Sequence, residues 1–245
     1  MDAPNQTVAE LHERSFATVV AELIRTHATG AVEVHDMIGT NRAFFRSGVP
    51  QGAKLSRLKN PIGRLLVEDG TLTEAQLDQA LEIHSKTDKL LGQVLLDQRL
   101  VDAETLKRTM EAQSRLNFLA LFALREGQVE FLDGLVHLTD FTPAPMPPLV
   151  ALYTGVRDHA GDEVTWPLLA TLAFAAVTVS PLAKALTAEL PAVEQMVVRL
   201  LETQRFTGDL ARSVPLPPKA LGALLYALHE LGGLLVGPAI NVPRA

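Results

Sequence analysis

The sequence of 245 residues predicts an α+β fold, in which a small antiparallel sheet carries an insert of helical hairpins and is followed by a mainly helical unit. Three observations support this prediction. Two short segments, AVEVHD and GQVEFLDG, alternate apolar and polar residues as half-buried strands do, and a third, NRAFFRSG, also predicts a strand. Two segments, 62–84 and 91–113, nearly repeat each other. Much of the chain after residue 148 places apolar residues at helical spacing.

The first domain is predicted at 15–134, after a flexible N-terminus at 1–14. Residues 15–27, SFATVVAELIRTH, place apolar side chains at helical spacing on one face. Ser15 precedes this pattern and is a residue type that caps helix N-termini. We therefore expect the domain to begin with an amphipathic helix.

The strands of the predicted sheet come from two parts of this domain. After Gly30, AVEVHD alternates as a strand, and IGTN is a candidate turn. NRAFFRSG predicts a second strand, which Gly48 and Pro50 are expected to end. A third strand, GQVEFLDG, starts at Gly127 and is expected to pair with the early hairpin.

Each repeat, 62–84 and 91–113, predicts a short helix, a turn and a second helix. The second helix of the first copy starts after Thr73, where T-E-A-Q has the spacing of a capping box. One hairpin cannot bury its apolar side alone, but two hairpins can bury these sides against each other. The apolar positions of the second helices are Leu77, Ala80 and Leu81, which correspond to Leu106, Thr109 and Met110.

The proline-rich segment 135–148 is predicted to be a linker to a helical C-terminal domain at 149–240. Two helices followed by the strand-like LLV resemble a winged helix, which leaves a DNA-binding regulator as one alternative. A recognition helix needs Arg, Lys, Asn or Gln side chains that reach the groove. The candidate, KALGALLYALHELGG, offers Lys219 and His229 and predicts a packing helix instead.

The stretch between Glu163 and Lys184 carries no charge and is long enough to span a bilayer. Pro167 and Pro181 interrupt it, and no basic cluster flanks it. We therefore predict a buried helix and no membrane span.

The composition excludes several kinds of site. The chain has no cysteine, so it has no thiolate ligand or cysteine nucleophile, which fits a cytoplasmic protein. Residues 1–163 hold 23 acidic and 16 basic side chains, so this part carries a charge of −7, unlike a nucleic-acid-binding surface. The seven histidines lack the spacing of metal ligands, and no nucleotide-binding or nucleophile motif is present. We predict no enzyme, no metal and no cofactor.

The order of these segments resembles the PATAN domain, first described in a cyanobacterial response regulator and common in myxobacteria. The matching stretches are THATGAVEVHD, FFRSGVP, GRLLVEDGTLT, GQVEF and the late segment that begins LPAVEQMVVRLLETQ. The resemblance implies a non-catalytic adaptor of bacterial signalling. Its partners would be response regulators, or a small Ras-like polarity GTPase with its Roadblock-type activator. Six glycines are predicted to hold structural positions: Gly30, Gly48, Gly63, Gly70, Gly92 and Gly127.

The repeats alone resemble the N-terminal domain of secretion and pilus-assembly ATPases, some of which bind cyclic di-GMP. That resemblance leaves a cyclic di-GMP sensor as a second alternative. An anionic dinucleotide needs fixed cationic or N–H donors, but Pro61 and Leu90 replace the motif arginines, Arg99 replaces a glycine and His84 replaces a glutamine. The matching positions are Gly63, Leu66, Gly70, Leu77 and Leu81 in the first copy, and Gly92, Leu95, Leu106 and Gln113 in the second.

Candidate residues for a protein interface lie on the early hairpin. A sheet edge formed by Val32, Val34 and Phe44 would accept a partner strand, although the same residues also fit a buried core. Arg42 and Arg46 lie near a strand end, and arginine side chains are the usual direct stimulators of GTPases. These five residues are the predicted contact positions.

Overall fold

A computed structural model of the chain describes residues 9–239, apart from residues 58, 174 and 204. Short 3-10 turns lie at Leu121–Ala123 and Leu135–His137. The first part of the chain forms, in order, β1 (Ala9–Glu10), α1 (Phe16–Arg25), β2 (Gly30–His35), β3 (Thr40–Arg46), β4 (Val49–Lys54), α2 (Ile62–Glu68), α3 (Glu74–Ser85), α4 (Leu91–Asp97), α5 (Ala103–Ala120) and β5 (Gln128–Asp133).

The second part of the chain is mainly helical and adds three short strands. Its elements are α6 (Pro148–His159), α7 (Asp162–Leu172), β6 (Ala175–Val179), α8 (Pro181–Leu186), α9 (Ala192–Leu200), β7 (Arg205–Phe206), α10 (Thr207–Ser213), α11 (Pro218–Glu230) and β8 (Leu234–Ala239). The predicted α+β class is confirmed.

The larger sheet has five antiparallel strands in the order β1-β5-β2-β3-β4. The predicted pairing of β5 with the early hairpin is present, with Val34 opposite Val129. The sequence did not predict β4, because Gly48 and Pro50 were interpreted as the end of the second strand. Pro50 is tolerated because β4 is an edge strand, and the register shifts between Phe44 and Phe45 as in a β-bulge.

The inner face of this sheet is covered by aromatic side chains from two helical segments. Ser15 caps α1 as predicted, accepting a hydrogen bond from the backbone N–H of Thr18. The Phe16 ring meets the Phe118 and Phe122 rings edge to face, with centroids 6.0 and 5.2 Å apart. Such pairs add stability beyond the area they bury, and they fix α1 against the end of α5.

The N-terminal segment and the predicted linker are both packed against the sheet. Of residues 1–14, the first eight lie outside the described residues, whereas β1 pairs with β5 and Leu11 is 4% exposed. Within 135–148, the backbone N–H groups of Ala144 and Met146 donate to carbonyl groups of β4, at 2.8 and 3.0 Å. The Phe141 ring also stacks on Phe44, with centroids 3.8 Å apart. The segment that was predicted as a linker therefore covers the outer edge of β4.

The two repeats form two helical hairpins with equivalent boundaries, since α2 and α3 begin 29 residues before α4 and α5. Thr73 and Gln76 form the predicted capping box. Apolar side chains of both copies share a small core of their own, so the prediction that the hairpins bury each other is confirmed. α5 continues beyond the second repeat to Ala120, because neither glycine nor proline interrupts it.

The uncharged stretch after Glu163 differs from its prediction. It contains most of α7, strand β6 and the start of α8 rather than one buried helix. The β-branched run Val177–Val179 favours a strand, and Pro181 occupies the first turn of α8, where proline fits. Trp166 on α7 is 68% exposed. Within the described part of the chain, no helix is both long and apolar enough to cross a membrane.

The buried core runs without a break from the larger sheet into the helices of the second part. α6 contacts α1, α5 and β4 on one side and α11 on the other. The small sheet has the order β7-β6-β8. The predicted boundary between 15–134 and 149–240 therefore does not separate two cores among the described residues.

We predict that equivalent glycines of the two repeats tolerate alanine unequally. A Cβ atom at Gly63 would lie 2.4 Å from Leu77 Cδ1, whereas one at Gly92 would lie 3.4 Å from Leu106 Cδ2. Gly63→Ala should therefore lower the free energy of unfolding of the insert by about 1 kcal/mol more than Gly92→Ala. Urea unfolding of the two variants measures this difference, and equal effects would contradict it.

Candidate interaction surfaces

The structure buries three of the five predicted contact residues. Val32, Val34 and Phe44 are each 0% exposed. Their strands, β2 and β3, lie inside the sheet and are paired on both sides, so neither strand can accept a partner strand. The prediction of a docking edge at these positions is wrong, because β4 and β5 flank the hairpin.

The two predicted arginines differ in their surroundings. Arg42 forms an ion pair with Glu33 on the neighbouring strand. The Glu33 side chain is 12% exposed, so Arg42 balances a largely buried carboxylate. Arg46 is exposed at the end of β3. Of the predicted contact residues, Arg46 is thus the one fully presented to solvent.

The predicted structural glycines lie at turns and close contacts. Gly63 and Gly92 let Leu77 and Leu106 pack against the first helix of each repeat. A Cβ atom at Gly30 would lie 2.1 Å from the carbonyl oxygen of Leu132 on β5. Positive φ angles occur at Gly48, Gly70 and Gly127.

The positions that match the cyclic di-GMP motif are occupied by packing contacts. Leu66 and Leu95 are both 0% exposed in the shared core of the insert. The Gln113 side-chain amide donates a 2.6 Å hydrogen bond to the carbonyl oxygen of Asn60. His84, which replaces a motif glutamine, contacts the carbonyl oxygen of Lys89 through Nδ1 at 2.7 Å. The repeat motif therefore explains how the insert packs, without a ligand.

One position in each repeat departs from this packing. Leu81 is 42% exposed, and the equivalent Met110 is 38% exposed. The sequence predicted both on the buried side. Met110 also lines an open groove of about 450 Å³ with Lys54 and Phe141. We call Leu81 and Met110 the repeat contact positions.

The turn between β2 and β3 carries two exposed large apolar side chains. Met37 is 100% exposed and Ile38 is 64% exposed. The sequence predicted a turn here, but its apolar residues were not interpreted as a site. Polar residues are usual in turns, so two large apolar residues in a predicted turn could have marked this position in the sequence. We call residues 36–39 the hairpin tip.

Hydrogen bonds to Asp36 hold the hairpin tip in one conformation. Its Oδ1 accepts from the backbone N–H of Ile38 at 2.7 Å and of Gly39 at 2.9 Å, and its Oδ2 accepts from the Asn41 amide. Partial burial of Asp36 opposes ionisation, but these hydrogen bonds outweigh it and lower the pKa of the carboxyl group. Asn41 is in turn anchored by Ser56.

A buried polar cluster connects α6 with α9. The Tyr153 hydroxyl donates a 2.7 Å hydrogen bond to Glu194 Oε1, and Glu194 is 5% exposed. Arg157 lies 4.0 Å from the same oxygen and forms two hydrogen bonds with Asp158. Burial, followed by the bond to Glu194, raises the pKa of Tyr153 to about 12. Each polar group has a partner, so the cluster joins helices rather than forming an open site.

Among the residues described, no group of three or more histidine, aspartate or glutamate side chains is arranged to hold a metal ion. When the chain is compared with protein-family models, with curated proteins and with solved structures, none of them matches.

We predict that Tyr153→Phe destabilises the protein more than Tyr226→Phe. The first change leaves the Glu194 carboxylate buried without its donor, which should cost about 1–3 kcal/mol. Tyr226 is the matched control, because its hydroxyl lies 3.4 Å from the neutral Thr18 hydroxyl; its loss should cost about 0.5 kcal/mol. Urea unfolding near neutral pH measures both values.

The hydrogen bond from Tyr153 to Glu194 predicts how the free energy of unfolding changes at alkaline pH. The folded state raises the pKa of Tyr153 from 10.0 to about 12, so its contribution is complete below pH 10 and is lost as the pH rises towards 12. Tyr153→Phe should remove part of this decline. An unchanged alkaline profile in the variant would contradict the assignment.

Proposed function

We propose that the protein is a non-catalytic adaptor of bacterial cytoplasmic signalling that acts through protein contacts. We further propose that it promotes GTP hydrolysis by a small Ras-like polarity GTPase together with its Roadblock-type activator. The resemblance to the PATAN domain supports this proposal, since that family implies contacts with such partners or with response regulators.

The exposure of Leu81 and Met110 carries the proposal. The insert has a core of its own, so it requires no ligand to close it. Each repeat nevertheless leaves one large apolar side chain at the same position exposed. Apolar side chains at protein interfaces lose their contact with water on binding, and methionine adapts readily to a partner surface.

The apolar character of Leu81 and Met110 indicates how the protein would act on its partners. Leu81 and Met110 are apolar and cannot stabilise the developing charge on a phosphoryl group. They would act by holding a GTPase and its activator in one complex, which increases the effective concentration of each for the other. Arg46 is the exposed arginine from the predicted set and is the candidate for a direct electrostatic contribution.

We predict that GTP hydrolysis accelerates only when the GTPase, its Roadblock activator and this protein are all present. Replacing both repeat contact positions, as Leu81→Asp with Met110→Asp, should weaken assembly about tenfold or more, because charges would enter an apolar contact. Hydrolysis and pull-down of the purified partners measure the two effects.

Val136→Asp is a matched control, because Val136 is 77% exposed outside the insert and should retain the stimulation. Equal losses in the control and the double variant would contradict the role of the insert. The adaptor proposal itself fails if neither the GTPase pair nor a purified response regulator is retained by the wild-type protein.

A further inference from the structure

We propose that the hairpin tip binds the hairpin tip of a second copy of this chain around a two-fold axis. This inference does not depend on the proposed function, which concerns the insert. It begins from the exposure of Met37 and Ile38, at 100% and 64%. Adjacent large apolar side chains at a protruding turn gain from burial against another apolar surface.

The tip is ordered before it binds. Asp36 receives three hydrogen bonds, two of them from backbone N–H groups within the tip. A further backbone bond joins Asp36 N to the carbonyl oxygen of Gly39 at 3.1 Å. Fixing this conformation in advance reduces the entropy that association would otherwise lose.

Charged side chains of opposite sign lie on the two sides of the tip. One side is a cavity of about 530 Å³ beside Met37, to which β1 contributes Glu10 and the turn before β5 contributes Glu126. Asp36 of the tip lines this cavity and the one on the other side. The other side is a cavity of about 290 Å³ beside Ile38, to which the segment after β4 contributes Arg57 and Lys59. The strand order places these flanks apart, since β5 lies on one side of the β2–β3 hairpin and β4 on the other.

This arrangement of charges is complementary to itself. A two-fold axis that passes between the two tips and is normal to the sheet brings the acidic flank of one copy opposite the basic flank of the other, and the same contact occurs twice. Arg57, Lys59 and Glu126 form no ion pair within the part of the chain that the structure describes. They can therefore pair with a second copy, and Lys59 also helps to lower the pKa of Asp36 in its own tip. An unrelated partner would need to present both signs in the same order.

The contact is small, so the dimer should be weak and in exchange with the monomer. Interfaces below about 1,200 Å² are typical of transient encounters. The exposed charges should make association sensitive to salt, because ions screen such pairs. A concentration-dependent equilibrium that weakens with added salt is the expected behaviour.

Sedimentation equilibrium of the full chain tests the contact. The average mass should rise from 26.5 kDa towards twice that value with concentration. Met37→Asp should abolish the rise without changing the fold, since this side chain contacts solvent. Val136→Asp should dimerise like the wild type, because it places the same charge at another exposed position.

Charge reversal tests the two-fold geometry. Lys59→Glu and Glu126→Lys should each remain monomeric. In a homodimer of the first variant two acidic side chains would face each other at both contacts, and in a homodimer of the second two lysines would do so. An equimolar mixture should dimerise, since Glu126 of the first variant faces Lys59 of the second, and both reversed residues face each other. The double variant in one chain should also recover association.

Three results would overturn this proposal. The wild type could remain monomeric at every concentration, which would assign the tip to a different partner. Met37→Asp could dimerise as well as the wild type, which would place the contact elsewhere. The mixed variants could fail to associate, which would rule out the acidic-to-basic pairing.

Discussion

The contact between the Phe122 ring and Gly155 holds the two parts of the chain around one core. A Cβ atom at residue 155 would lie 2.5 Å from Cδ2 and Cε2 of Phe122, so this approach requires glycine. Phe122 also meets Phe16 and Phe118 edge to face. Helix α6 can therefore lie against the helices that cover the sheet and against α11 at the same time.

This shared core determines which surfaces are available for contacts. The outer edge of β4 is partly covered by the segment that leads into α6, and the hydrophobic side of α11 is buried from Ala220 to Leu228. A strand partner at Val32 does not fit this arrangement. The buried residues of α11 confirm the predicted packing helix. The hairpin tip and the insert are each stabilised locally. Hydrogen bonds to Asp36 hold the tip, and the insert has an apolar core of its own.

Local patterns were sufficient to predict much of the fold. The cap at Ser15, the capping box at Thr73 and the alternation in β5 depend on residues close in sequence, and the structure contains each of them. The position of β4 depends on its place at the sheet edge, where Pro50 is tolerated. Whether a strand lies at the edge depends on the order of all the strands in the sheet, so the sequence of this segment alone did not predict β4.

The exposure of individual side chains was predicted less well than the fold. Periodicity marked Phe44 as apolar but could not show that Phe141, 97 residues later, would stack on it. Leu81 and Met110 follow the same helical period as their buried neighbours. Only the way the two hairpins pack leaves these two side chains exposed while the neighbours are buried. Met37 and Ile38 could have been singled out from the sequence, since polar residues are usual in a turn.

Native-state hydrogen exchange of the wild type and Gly155→Ala tests the shared core most directly. If the sheet and the C-terminal helices share one core, the slowest amides of β2 and α11 should have the same opening free energy. The substitution should lower both by the same amount, about 1–3 kcal/mol for an overpacked core. A loss of protection in only one of these elements would show that the two parts unfold independently and would contradict the account.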